Sequence, residues 1–140
     1  MKLGIELIGG ITMFEKEKCI IVTNNDRVAE KYKDVMKIEL LDSYENVLIK
    51  ARDLVYDRHR LLTHPQAGSL KPNQTPYRSI IVYPADNNSN LDDVMMIEKA
   101  IETFNKFKEI KETPKYEEKI ANDYKTIDLS MIDNVMPKIQ

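Results

Sequence analysis

Residues 19–26 read CIIVTNND, and this segment decides the fold class of the 140-residue chain. The run from Cys19 to Val22 is continuously apolar and rich in β-branched residues, which is typical of a strand buried on both faces. The polar residues that follow it can cap a helix by accepting hydrogen bonds from the first N–H groups. A buried strand that leads directly into a helix predicts the first half of a β-α-β unit.

The segments on the C-terminal side continue this alternation. Residues 35–41 alternate imperfectly between apolar and polar, which predicts a second strand near a sheet edge and a β-α-β unit over 19–41. Asp42 and Glu45 have the spacing of a capping box in front of a second helix. Residues 79–83, SIIVY, predict another buried strand, and a long amphipathic helix follows it.

Alternating strands and helices indicate an α/β fold. We expect a three-layer sandwich with a mainly parallel sheet and right-handed crossovers. The chain is interpreted as a single domain, with an N-terminal arm or hairpin at 1–17, an α/β core at 18–112 and a helical C-terminal extension at 113–140. The extension is expected either to pack on the domain or to form an arm toward another subunit.

Residues 58–78 read RHRLLTHPQAGSLKPNQTPYR and form the most unusual segment. They contain both histidines, three of the six prolines and four Lys or Arg residues. None of the 23 Asp and Glu residues falls between positions 58 and 85. Because the whole chain carries a formal net charge of −2, this segment concentrates positive charge locally. The pattern predicts an anion-receptive loop.

The cations of this loop are candidate ligands for a carboxylate or a phosphate, since arginine donates in bidentate fashion and lysine acts as a point charge. The alternative is that they are solvated or paired with acids elsewhere. These four cations are Arg58, Arg60, Lys71 and Arg78.

Other polar side chains have two interpretations each. His64 is a candidate general acid or base, or a loop histidine bonded to backbone. Asn24 and Asn25 are candidate ligands at the end of the first strand, or helix caps, which is the preferred interpretation. Tyr77 either stacks on a planar ligand or anchors its loop. The loop reaches these asparagines only if it folds across the sheet edge or if residues 61–63 form a strand.

Several classes of site and location are disfavoured. His59 and His64 lack the spacing of a helical metal pair, and we predict no metal and no cofactor. The single Cys19 excludes an internal disulfide and is interpreted as a core residue. The acidic balance argues against nucleic acid as a partner, and no apolar run is long enough to span a membrane. We expect a cytoplasmic protein.

Residues 60–80, RLLTHPQAGSLKPNQTPYRSI, together with IVTNN at 21–25, resemble the GrdX family. This family consists of small proteins encoded with the selenium-dependent glycine, sarcosine and betaine reductases of amino-acid-fermenting anaerobes. The resemblance covers residues 18 to about 110 and excludes the N-terminal arm. It implies a cytoplasmic accessory of reductive amino-acid metabolism, with no catalytic assignment. Its motif adds Thr63, Ser69, Asn73 and Thr75 to the candidate ligand-binding residues.

Three hypotheses for function follow. In the first, the protein is an accessory or regulatory component of the reductase system, and its loop recognises a small anionic metabolite or the acidic surface of a partner protein. In the second, it is a small enzyme that acts on a phosphorylated or carboxylated metabolite, with His64 as general acid or base. In the third, the loop is structural and the C-terminal helices form a homo-oligomer. Enzymatic activity is left open.

Overall fold

The computed structural model of the chain describes residues 14–66, 71–85 and 91–139. The expected arm or hairpin at 1–17 therefore lies largely outside the described residues. In chain order the elements are β1 (Ile20–Thr23), α1 (Asp26–Tyr32), β2 (Lys37–Leu40), α2 (Tyr44–Tyr56), β3 (His59–Leu61), β4 (Ser79–Pro84), α3 (Leu91–Ile110) and α4 (Glu118–Val135). Short 3₁₀ helices at Lys16–Lys18 and Met136–Lys138 flank them.

The four described strands form one sheet in the order β2-β1-β4-β3. β1 and β2 are parallel, with Ile20 opposite Lys37 and Thr23 opposite Leu40. Since α1 connects them, the predicted β-α-β unit over 19–41 is confirmed. The strand expected at 61–63 is present as β3, two residues earlier.

The expectation of a mainly parallel sheet is wrong, because β4 runs antiparallel to both β1 and β3. The sheet is therefore mixed. The physical reason is that a parallel neighbour requires a crossover that carries the chain back to the opposite edge of the sheet. The chain instead leaves β3 and enters β4 at the same edge, so the two strands run in opposite directions.

The helix starts are fixed by short polar side chains. Asn25 caps α1, since its side chain accepts a hydrogen bond from the N–H of Arg27. The predicted cap of α2 is wrong by one residue: Ser43, not Asp42, is the N-cap and accepts from the N–H of Asn46 at 3.1 Å. The carboxylate of Asp42 binds the Asn46 side chain instead, at 2.6 Å.

Buried apolar residues form two clusters, between which the residues of β1 alternate. Ile21 belongs to a cluster with Val28 of α1 and Ile132 of α4. Ile20 and Val22 belong to the other, to which α2 and α3 contribute. Because successive strand residues point to opposite faces, each cluster lies against one face of the sheet.

The C-terminal helix α4 is part of this core. Ile132 and Val135 are fully buried, and Val135 is followed by the buried Met136. Two ion pairs also join α4 to the first helix: Lys125 Nζ lies 2.9 Å from Asp26 Oδ1, and Lys31 Nζ lies 2.9 Å from Asp133 Oδ1. Of the two arrangements expected for this segment, the structure has it packed on the domain; the boundary at residue 113 stays a prediction.

No helix within the described ranges is long and apolar enough to cross a membrane.

The packing of α4 predicts unequal effects of two isoleucine substitutions in that helix. Ile132→Ala should lower the free energy of unfolding by about 2 to 5 kcal/mol, because it leaves a cavity in a closed core. Ile120→Ala is the matched control: Ile120 is 39% exposed, and its loss should cost no more than about 0.5 kcal/mol. Urea unfolding measures both values. Equal losses would contradict the packing of α4 on the sheet.

Candidate functional site

The loop that precedes β4 meets the end of β1 through the side chain of Asn24. Asn24 Nδ2 donates to the carbonyl of Pro76 at 2.7 Å, and Asn24 Oδ1 accepts from the N–H of Arg78 at 2.9 Å. These bonds hold the end of the loop against the end of the strand. Because β1 and β3 end at the edge where β4 begins, the predicted asparagines and the end of the predicted loop are neighbours.

A buried chain of polar side chains continues inward from this junction. The N–H of Asn25 donates to Thr23 Oγ1 at 2.9 Å, and the hydroxyl groups of Thr23 and Ser79 lie 2.7 Å apart. Ser79 Oγ donates to Asp128 Oδ2 at 2.7 Å. Since the hydrogen of the Ser79 hydroxyl is given to the carboxylate, the Thr23 hydroxyl is the donor to Ser79.

Asp128 is the acceptor at the end of this chain and comes from α4. It also accepts from Asn25 Nδ2 at 3.0 Å, and its side chain is almost completely buried. Burial raises the pKa of Asp128, while the hydrogen bonds from Ser79 and Asn25 and the charge of Arg78 oppose that rise. The sequence reasoning did not identify this residue. Its signal was an acid at four residues from both Tyr124 and Ile132, on the apolar stripe of the helix.

Arg78 is buried rather than solvated, with 3% of its surface exposed. Its Nε donates to the hydroxyl of Tyr44 at 3.3 Å, and its guanidinium carbon lies 5.5 Å from the centre of that ring. Tyr44 in turn stacks on Phe104, with 5.3 Å between ring centroids. Arg78 therefore connects the start of β4 to the helices α2 and α3.

His64 lies at the same edge and is half-buried. Burial, followed by the charge of Arg78, lowers the pKa of His64. Its Nδ1 atom accepts a hydrogen bond from the N–H of Gln66 at 3.0 Å. The neutral ring therefore carries its proton on Nε2, which makes that atom a donor.

Two of the candidate cations lie away from this junction. Arg58 has a positive φ of 58° in the turn before β3. It therefore lies at the start of that strand, at the opposite end from the junction. Arg60 pairs with the buried Asp93, with 3.4 Å between Nε and Oδ2. A cation from the acid-free segment thus has an acidic partner on α3. A count of charges within the segment does not detect this partner.

Polar loop residues serve the backbone in several places. Thr63 Oγ1 accepts from the N–H of Ile81 at 3.0 Å, which extends the pairing of β3 and β4. Thr75 Oγ1 accepts from the N–H of Tyr77 at 3.2 Å. The ring of Tyr77 lies 5.5 Å from Lys125 Nζ. Ser69 lies outside the described residues.

Lys71 and Asn73 border a groove of about 400 Å³ beside the end of α3. Asn73 Nδ2 donates to the carbonyls of Phe107 and Lys111, at 3.4 and 3.3 Å, and so satisfies acceptors at the helix end. Lys71 Nζ lies 5.8 Å from the centre of the Phe107 ring. The described lining of the groove contains two lysines and no acid: Lys71, Asn73, Gln74, Phe107, Ile110, Lys111, Pro114 and Tyr116.

Two features of the described residues concern metal ligation and thiol chemistry. It contains no group of three His, Cys, Asp or Glu residues placed to hold a metal ion. Cys19 is completely buried, and burial raises the pKa of its thiol to about 11. A thiol of such high pKa is a poor nucleophile near neutral pH.

The raised pKa of Asp128 predicts a pH-dependent effect of Asp128→Asn. A carboxyl with a higher pKa in the folded state stabilises fully below its ordinary pKa of about 3.9, and this contribution is lost as the pH rises through the folded value. Asparagine keeps an acceptor for Ser79 without the charge. The stability of the variant relative to the wild type should therefore rise as the pH increases above about 4, as measured by urea unfolding.

Asp128→Ala is the comparison variant. It removes the acceptor of Ser79 and Asn25, and it should cost about 1 to 3 kcal/mol in the free energy of unfolding. A relative stability of Asp128→Asn that falls as the pH rises would contradict the raised pKa.

Comparison with protein families gives a match over most of the chain. The family model described as GrdX-like protein matches residues 20–137 of the 140-residue chain. Comparisons with curated proteins and with solved structures give no match. The family match spans β1 to the final 3₁₀ helix and therefore includes α4, beyond the region in which the sequence motifs were identified. The chain belongs to the GrdX-like protein family.

Proposed function

We propose that this protein is a cytoplasmic accessory or regulatory component of the glycine, sarcosine and betaine reductase system. Membership of the GrdX-like family supports this context. We also interpret the scaffold as a three-layer α/β/α sandwich, an interpretation supported by the alternation of β1 residues between two core clusters. A protein of this kind acts by binding, so the proposal requires a recognition surface.

We place that surface in the groove between residues 71–74 and the end of α3. The observation that carries this proposal is that Lys71 and Lys111 both line a groove whose described lining contains no acid. Two ammonium groups with no competing carboxylate attract a carboxylate or phosphate, and the aromatic side chains supply apolar contact area. A volume of about 400 Å³ suits a small metabolite.

The groove is also compatible with its polar neighbours. The side-chain amide of Asn73 occupies two carbonyls at the end of α3, which reduces the number of bare acceptors that face a bound anion. The hydroxyl of Tyr116 donates to the carbonyl of Gln74 at 2.7 Å and closes one side of the groove. The ligand-facing charge is therefore supplied by the two lysines.

A thermal-shift screen tests this proposal. Phosphate, acetyl phosphate, glycine, sarcosine and betaine are the probes, and an anionic ligand at 100 times its Kd should add about 2.7 kcal/mol of stability and raise Tm by several degrees. The double variant Lys71→Ala/Lys111→Ala should lose the shift. Lys99→Ala/Lys106→Ala is the matched control, since both of these exposed lysines pair with Glu102 on α3.

A control variant that loses the shift equally would contradict the location of the site. If no compound shifts Tm, the acidic surface of a reductase subunit is the other expected ligand, and a pull-down with these subunits tests it. Failure of the screen and of the pull-down together would contradict the proposed function.

The position of His64 favours a second candidate, a small enzyme acting on a phosphorylated or carboxylated metabolite. Its lowered pKa keeps the imidazole neutral near pH 7, and its Nε2 atom carries the proton. Turnover by such an enzyme should be lost in His64→Asn. Because Nδ1 already accepts a hydrogen bond from Gln66, Nε2–H can only donate, so His64 would act as a general acid and activity should fall as the pH rises through a pKa below the ordinary value of about 6.5.

A further inference from the structure

The two end strands of the described sheet differ in how their outer edges are treated. At β3, the outward N–H of Leu61 donates to the Asp93 carboxylate at 3.0 Å, and the same carboxylate pairs with Arg60. Asp93 is almost completely buried. This carboxylate therefore occupies the outward donor that another strand would need at that edge.

The outer edge of β2 has a different character. The N–H groups of Lys37 and Leu41 donate to the carbonyls of Cys19, the residue before β1, and Thr23, at 3.2 and 2.8 Å. Since hydrogen-bonding direction alternates along a strand, the N–H groups of Ile38 and Leu40 point away from β1.

β2 is also the outermost of the described strands on this side. The side chain of Leu40 is 55% exposed beside the edge, and that of Val35 is 39% exposed. Outward N–H groups next to exposed apolar side chains favour pairing with another strand.

We propose that the edge of β2 pairs with β2 of a second copy of this chain, antiparallel about a two-fold axis at Ile38. In this register Lys37 lies opposite the partner's Glu39, and the same pair occurs twice because of the symmetry. The two Ile38 residues exchange N–H and C=O hydrogen bonds. The N–H of Leu40 donates to the carbonyl of the partner's Met36.

The charges along β2 select both the occupant and the register. Lys37 and Glu39 flank Ile38 and are partly or largely exposed, with 3.8 Å between Nζ and Oε1 within the chain. An axis at Ile38 makes this short sequence complementary to itself, as an isologous interface requires. An axis at Glu39 would instead place two glutamates opposite each other, and like charges in that position are destabilising.

The backbone hydrogen bonds agree with this register. The N–H of Met36 donates to the carbonyl of Tyr32 at 3.0 Å, so the pair of Leu40 and the partner's Met36 forms only one of its two possible hydrogen bonds, the one that Leu40 donates. Both outward donors of β2 thereby obtain acceptors. The described strands of the two copies then form one sheet of eight, and the short contact corresponds to weak association.

Charge reversal in the full chain tests the proposal. Sedimentation equilibrium from about 1 µM to about 1 mM should show a monomer–dimer equilibrium in the wild type. Lys37→Glu and Glu39→Lys should each raise the dimer Kd by about tenfold, because each places like charges opposite each other twice. The double variant K37E/E39K should restore the wild-type Kd. Thermal unfolding confirms that each variant folds.

Lys99→Glu is the matched control, since it reverses an exposed lysine on α3 and should leave the dimer Kd unchanged. Hydrogen exchange gives a second measurement: the amides of Ile38 and Leu40 should become more protected as the protein concentration rises. A monomer at every concentration overturns the proposal, as does a dimer that is equally stable in all variants. Protection independent of concentration would mean that another segment of the same chain covers the edge, which also overturns it.

Discussion

A chain of hydrogen bonds that ends on Asp128 joins three elements that are distant in sequence: β1, β4 and α4. The hydroxyl groups of Thr23 and Ser79 are its middle members, and each one polarises the following hydrogen bond. Because these groups are buried, the register of β4 against β1 and the position of α4 are fixed together. A shift of one residue in the register of β4 or in the position of α4 would leave the Asp128 carboxylate without its donors. An unpaired buried charge is strongly destabilising.

The specificity of the arrangement around these hydrogen bonds and its stability have different sources. The raised pKa of Asp128 shows that its hydrogen bonds and the charge of Arg78 do not fully offset the cost of burial. The stability of the packed helix comes instead from apolar side chains farther along it, such as Ile132 and Val135, which are completely buried. The polar chain selects one arrangement, and the apolar contacts hold it.

A structural feature was predictable from the sequence when the residues that determine it are close together along the chain. The identity of β1 and the Asn25 cap were predictable because both depend on neighbouring residues. The direction of β4 was not, since it depends on where the chain returns to the sheet after β3. Asp128 was also missed, although a single acid on an apolar helical stripe is a usable signal for a buried polar contact.

The same limit applies to the charge of the loop. Arg60 meets Asp93 from α3, and Arg78 lies under the influence of Asp128 from α4, so two of the four cations have acidic neighbours from distant segments. Lys71 instead lies beside a groove to which Lys111 adds a second positive charge. In the proposed site the positive charge therefore lies where the acid-free segment contacts α3, because Arg60 is paired with Asp93 and Arg78 is buried.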